Sequence, residues 1–120
     1  SACLRRVRQL EESGVIEGYR AILNAAAVGM PITAFVRISI GAHDAEVVTA
    51  VEEQIRSIPE VVEAHLLAGD SDYQLKVAVG SFEQYEKLLR EQFRNLPSVT
   101  GILTTFAFAV TKTPAPLSLD

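Results

Sequence analysis

The sequence predicts an α+β chain of the ferredoxin-like, split βαβ-βαβ class: a four-stranded antiparallel sheet with two helices on one face. Three observations predict it. An imperfect repeat sets Arg56-Ser-Ile-Pro-Glu-Val61 against Arg94-Asn-Leu-Pro-Ser-Val99, 38 residues apart. Each copy follows an amphipathic helical pattern and precedes an apolar run. Ahead of each helix lies a segment alternating at period two, so the order is βαβ twice; right-handed crossovers place both helices on one side.

In chain order, residues 1–14 read as the end of a basic helix. Leu4, Val7 and Leu10 share one face, Arg5, Arg6 and Arg8 project elsewhere, and Gly14 supplies a left-handed stop. Residues 15–31 are a linker, with Val15–Leu23 expected as a strand and a loop to follow. Residues 32–110 hold the repeat. In the first strand, Ile32, Ala34, Val36, Ile38 and Ile40 oppose Thr33, Phe35, Arg37 and Ser39. Asp44 is placed to cap the next helix, whose stripe is Val47, Val48, Val51, Ile55 and Ile58. Strands Val61–Ala68 and Tyr73–Val79 flank a turn at Gly69-Asp70-Ser71-Asp72. Ser81 and Gln84 form a capping box for the second helix, with stripe Phe82, Tyr85, Leu89, Phe93 and Leu96. Pro59 and Pro97 end the two helices by forbidding helical geometry to the residue before them. The last strand is Val99–Val110, and residues 111–120, with Pro114 and Pro116, are a loose tail.

The second face of the sheet then lies bare. The last strand offers it either Ile102, Thr104, Phe106 and Phe108 or Leu103, Thr105, Ala107 and Ala109, and neither set suits water. A sheet apolar on both faces needs a cover, and a second copy across a two-fold axis is the economical one. A homodimer is expected.

Apolar residues at 48 % and charged residues at 22 % describe a globular chain of 120 residues, room for one domain and an appendage. The net charge of −4 argues against a nucleic-acid-binding body. Residues 1–9 nevertheless carry three arginines and no acid, and −4 less their +3 leaves −7 for the rest. Cys3 is the single cysteine, so no intrachain disulfide forms, and no Cys/His spacing suits a metal. No apolar run reaches 18 residues and no secretory signal is visible, which fits a cytoplasmic chain with no membrane partner. No Ser/His/Asp or Cys/His arrangement, phosphate loop or cofactor motif appears, so catalysis and cofactors are not expected.

Residues 3–19 carry a resemblance. Cys3, Arg6, Val7, Leu10, Glu11, Gly14, Ile16 and Tyr19 match the pattern Cys-x-x-Arg-Val-x-x-Leu-Glu-x-x-Gly-x-Ile-x-x-Tyr. That pattern closes the helix-turn-helix of the leucine-responsive/asparagine-responsive (Lrp/AsnC) transcription regulators. Asn24 with Val28-Gly29 resembles that family's linker turn. Gly69-Asp70-Ser71-Asp72-Tyr73 resembles its Gly-x-x-Asp-Tyr turn, and Leu96-Pro97-Ser98-Val99 its Leu-Pro-Gly-Val, with Ser98 in place of glycine. Thr104 matches the second threonine of a Thr-x-Thr, where Ile102 replaces the first. The chain opens at Ser1, inside the helix pattern, and is expected to be a fragment without most of the helix-turn-helix.

The resemblance implies a regulator whose intact form binds operator DNA and whose ferredoxin-like domain assembles dimers, then tetramers or octamers. It implies a small effector, usually an amino acid, in clefts between dimers, and no catalysis. Arg5, Arg6 and Arg8 are the DNA-binding candidates, by phosphate or base-edge contact from a helix. Gly69, Asp70, Asp72 and Thr104 are the effector-binding candidates: turn amides and a hydroxyl for a carboxylate, an aspartate for an ammonium group. The plain alternative for the aspartates is a turn-stabilising role. His65 reads as a structural strand residue, His43 as part of a surface turn, and Phe35, Phe106 and Phe108 as packing. A stand-alone sensing module without DNA binding is a second class. A small ferredoxin-like barrel enzyme is a third, requiring a buried pocket lined by His65 and carboxylates.

Overall fold

The computed structural model describes residues 1–119; the last residue of the expected tail, Asp120, lies outside the described residues. The elements are α1 (Ala2–Glu12), β1 (Ile32–Ile40), α2 (Ala45–Ser57), β2 (Val61–Leu66), β3 (Tyr73–Val79), α3 (Phe82–Glu91), a 3-10 turn (Phe93–Asn95) and β4 (Val99–Phe106). The four strands form one antiparallel sheet in the order β2-β3-β1-β4, the ferredoxin-like arrangement expected from the repeat.

Alternation decides the two faces. Ala34, Val36, Ile38 and Ile40 of β1 and Tyr73, Leu75, Val77 and Val79 of β3 are buried beneath the helices with Val51, Ile55, Tyr85, Leu88 and Phe93. The registers Val36↔Thr104 and Ile38↔Ile102 set the Ile102, Thr104, Phe106 side of β4 against the helices. Leu103 and Thr105 stand on the open face. Phe108, past the strand end, is wholly exposed.

That open face is more polar than the bare pattern implies. Phe35 and Leu103 share it with Arg37, Lys76, Gln74, Glu63 and His65, which are opposite or adjacent to one another in the ladders. A register shift between Val61 and Glu63 lets Val61 turn inward while Glu63 and His65 face out.

The helix ends follow local chemistry. Ser81 Oγ accepts from Gln84 N at 3.1 Å, while the Gln84 side chain reaches back to Gly80 N at 2.7 Å, one residue short of a closed capping box. Asp44 occupies the N-cap of α2, but its side chain makes no capping bond. The residues before Pro59 and Pro97, Ile58 (ψ 111°) and Leu96 (ψ 140°), are extended as proline requires. Gly14 closes α1 at φ 84°.

Three expectations change. Residues 15–23 form no ladder, because a strand needs a partner edge and this segment meets none in its own subunit. Strands β2 and β4 end at Leu66 and Phe106, short of the expected Ala68 and Val110, with one further backbone bond past each end, from Leu67 N to Asp72 O at 2.8 Å and from Ala107 N to Thr33 O at 2.9 Å. Phe82 and Val47 lie at the margin of the core rather than inside it, and Leu88 takes the buried place between Tyr85 and Phe93. In the linker, Asn24 caps a single turn by accepting from Ala27 N at 3.0 Å, and Gly29 ends it at φ 79°. No residue of α1 is buried. The radius of gyration, 17.6 Å, accordingly exceeds the roughly 13.6 Å of a compact chain this long.

Candidate functional site

The loop between β1 and α2 lies between two turns. From one side comes Asp72, the last residue of the β2–β3 turn. Its Oδ2 accepts from Ile40 N at 2.8 Å and its Oδ1 pairs with His43 Nε2 at 2.9 Å. Asp72 N in turn donates to Ile38 O at 3.0 Å. These contacts, the Ile40 amide first and His43 second, hold the Asp72 carboxyl below the usual carboxylate range. From the other side comes Ser98, whose carbonyl accepts from Gly41 N and whose Oγ accepts from Ala42 N, both at 2.8 Å.

The clamp separates the roles of the two aspartates. Both Asp72 oxygens are engaged inside the subunit, so its carboxylate is a turn-holding group. Asp70 and Gly69 are exposed at the tip, and no hydrogen bond or ion pair among the described residues engages the Asp70 carboxylate. Asp70 is therefore the free acceptor and Gly69 leaves the tip unobstructed, with nothing within 4 Å of where a Cβ would stand.

Thr104 is elsewhere. It lies opposite Val36, four residues along β1 from Ile40, about 13 Å by strand rise. Its hydroxyl shares a hydrogen bond with Tyr85, beneath Phe106, whose ring meets Phe82 edge-on at 5.0 Å and Tyr85 at 5.3 Å. Burial pushes the Tyr85 hydroxyl's pKa up. Within one subunit the structure joins Gly69, Asp70 and Asp72 and leaves Thr104 out.

Next to the turn, a cleft of about 400 Å³ opens between α2 and β2. Ile55, Val61, Ala64 and Leu66 give it apolar walls, and Glu52, Arg56 and Tyr73 give it polar ones. Tyr73 donates its hydroxyl to Glu52 Oε2 at 2.9 Å, and Arg56 donates to Glu52 Oε1 at 3.3 Å. Desolvation, then the bond to Glu52, pushes Tyr73 up to about 12. Glu63 and His65 pair at 3.2 Å at the outer margin, each side chain 61 % exposed. This is an open edge rather than the buried His/carboxylate pocket an enzyme would need. Among the described residues no group of His, Cys, Asp and Glu is placed to hold a metal ion, and no helix is long and apolar enough to cross a membrane.

Arg5, Arg6 and Arg8 are all exposed on α1 and make no ion pair among the described residues. The helix begins at Ser1, whose Oγ accepts from Leu4 N at 3.2 Å. The Leu4–Val7–Leu10 face has no partner among the described residues that buries it.

Sequence reasoning missed His43 and Tyr73 as anchors. Tyr73 bore a signal, a phenol at a core position, which must find an acceptor when buried. His43 bore none, because its partner is 29 residues away.

Known proteins resemble the whole arrangement. Residues 33–117 match the model of the Lrp/AsnC ligand binding domain. The leucine-responsive regulatory protein of Haemophilus influenzae is 38 % identical over 102 residues, 85 % of this chain and 61 % of that protein. An uncharacterised HTH-type transcriptional regulator of Sinorhizobium fredii is 34 % identical over 107 residues, 89 % of this chain and 84 % of that protein. The chain thus spans about three fifths of the leucine-responsive relatives it matches. Among solved structures, a transcriptional regulator–L-Met complex from Neisseria meningitidis superposes with a TM-score of 0.93 at 27 % identity, covering 99 % of this chain and 77 % of that one. An AsnC family transcriptional regulator from Agrobacterium tumefaciens gives 0.92 at 30 % identity with the same coverage.

Proposed function

The chain belongs to the Lrp/AsnC family of transcription regulators, carrying its ligand-binding domain rather than an enzyme's active site, and from that premise we propose that it senses a small effector and assembles a DNA-binding regulator. The observation that carries the sensing role is the turn clamped by Asp72 with Asp70 and Gly69 free at its tip. Such a turn offers an acceptor for an ammonium group and unencumbered amides for a carboxylate, which together describe an amino acid. The solved relative in complex with L-Met makes L-methionine the first ligand to try. Because Thr104 stands across from Val36, about 13 Å along β1 from the Ile40 amide that anchors Asp72, and on the opposite side of β1, it meets the same ligand only when a second subunit supplies it. The site is then shared between subunits, and binding and assembly are coupled.

The open sheet face supports a homodimer, with Phe35 and Leu103 at its centre and Arg37, Lys76, Glu63 and His65 around them. In the intact cytoplasmic regulator Arg5, Arg6 and Arg8 contact DNA. Three exposed arginines on one unpacked helix give few phosphate contacts, so the 120-residue chain alone binds weakly.

Calorimetric titration of the chain with the twenty amino acids tests the sensing role. At least one binds saturably, and Asp70→Asn weakens it tenfold or more while the secondary structure is unchanged. Silence across the panel from an intact oligomer overturns a free amino-acid effector.

A further inference from the structure

We infer that the groove along the outer edge of β4 receives the effector's side chain, and that Arg94 there selects one ending in a carboxylate, so that the effector is an acidic amino acid. The inference rests on the proposed sharing of one ligand between the Gly69–Asp72 turn of one subunit and β4 of another.

β4 is an edge strand. Ala107 N donates to Thr33 O at 2.9 Å, continuing the register Ala34↔Phe106, so the odd-numbered residues of β4 exchange hydrogen bonds with β1. Ile102 and Thr104 therefore turn their backbone N–H groups outward, where no strand among the described residues meets them. Beside them a groove of about 320 Å³ runs between β4, the end of α3 and the 3-10 turn. That is near the low end of ligand sites, roughly 300 to 1,000 Å³, and suits a small metabolite rather than a large cofactor.

The charge of the groove is one-sided. Leu89, Val99 and Ile102 give it apolar walls for methylene groups, Thr100 gives a hydroxyl and Arg94 a guanidinium, and no acidic residue lines it. In a chain of net charge −4 such a lining stands out. Arg94 is also unpaired. Glu86, the acid whose pKa its charge helps to lower, accepts instead from Arg90 at 3.0 and 3.3 Å, and Arg94 makes no ion pair among the described residues. The Thr104 hydroxyl is taken up by Tyr85, so Arg94, Thr100 and the outward amides are the donors left for a ligand. A planar guanidinium meets a carboxylate with two parallel bonds. An ammonium-tipped side chain meets like charge there with no acid to hold it, and an aliphatic one gains only the walls. The cleft between α2 and β2 makes no such selection, because its Arg56 is already paired with Glu52.

Calorimetric titration of the chain with L-glutamate, L-aspartate, L-glutamine, L-methionine and L-lysine tests the inference, with far-UV circular dichroism of each variant beside it. One of the two acids is expected to bind about tenfold or more tighter than the other three classes, the increment of a charge-assisted bond. Arg94 is exposed, so its replacement leaves the spectrum unchanged. Arg94→Gln cancels the acid preference while glutamine keeps its affinity, and Arg94→Glu passes the preference to lysine. Methionine or glutamine binding as tightly as either acid, or Arg94→Gln weakening all ligands alike or none, overturns the inference. Asp70→Asn separates it from the turn reading. If that substitution weakens every ligand while Arg94→Gln leaves their ranking as it was, the turn stands and the groove falls. If Arg94→Gln erases the acid preference and Asp70→Asn changes nothing, the groove stands and the turn reading fails. An intact oligomer that binds none of the five overturns both.

Discussion

Ser98 holds the amide of Ala42 with its hydroxyl at 2.8 Å while its own backbone stands at φ 61°. It is the one non-glycine residue with positive φ among those described. The left-handed geometry explains why the related motif has glycine here, and the hydroxyl explains how serine is tolerated: it gains a bond glycine lacks. The residue joins the start of β4 to the loop that Asp72 grips from the other side.

Ser98→Ala keeps the left-handed strain and loses the bond, so it destabilises by about 1 kcal/mol. Ser98→Gly loses the same bond but relieves about 1 kcal/mol of strain and remains near the parent. Urea unfolding midpoints order the variants; Ser98→Gly falling to the level of Ser98→Ala would show that the backbone carries no strain.

Asp72 links stability to acid. Its carboxyl lies below its unfolded value, so its contribution is present above the unfolded pKa and is lost as pH falls through the folded one. Between pH 5 and pH 2 the urea midpoint of the parent declines more steeply than that of Asp72→Asn, which starts lower at pH 7. Parallel declines would show that the clamp is not what acid breaks.

Tyr73 acts at the other extreme. Its pKa is raised to about 12, so its share of stability is whole below the unfolded value near 10 and is lost as pH climbs through 12. Absorbance at 295 nm, with Tyr73→Phe as the assignment control, reveals one of the three tyrosines ionising last, near pH 12. A Tyr73 that ionised at pH 10 would contradict its bond to Glu52.

Gly80 tests the seat of the linker. A Cβ there would stand 2.9 Å from the carbonyl oxygen of Gly29. Gly80→Ala displaces the 25–29 turn while leaving the sheet in place. Hydrogen exchange then quickens at Met30 N, which donates to Ala25 O at 2.8 Å, and stays slow across β1 and β3. Unchanged exchange at Met30 would show that the turn is not seated there.

The sequence by itself determined the two βαβ halves, because helical and strand periodicity, capping residues and proline stops are local, and each agreed with the repeat. It also picked out the turn at Gly69–Asp72 and the odd serine at 98. It did not determine which face of β4 turns inward. Ile102 and Leu103 are equally apolar, and only the register against Ile38 and Arg37 separates them. Nor did it divide Asp70 from Asp72: two aspartates two residues apart look alike until Ile40 and His43, from another strand and loop, take up both oxygens of one. The linker strand failed for the same reason, since a ladder belongs to two segments and is not a property of one. Periodicity is written along the chain, while pairing, register and clamping join residues distant in it, and those the tertiary structure alone decided.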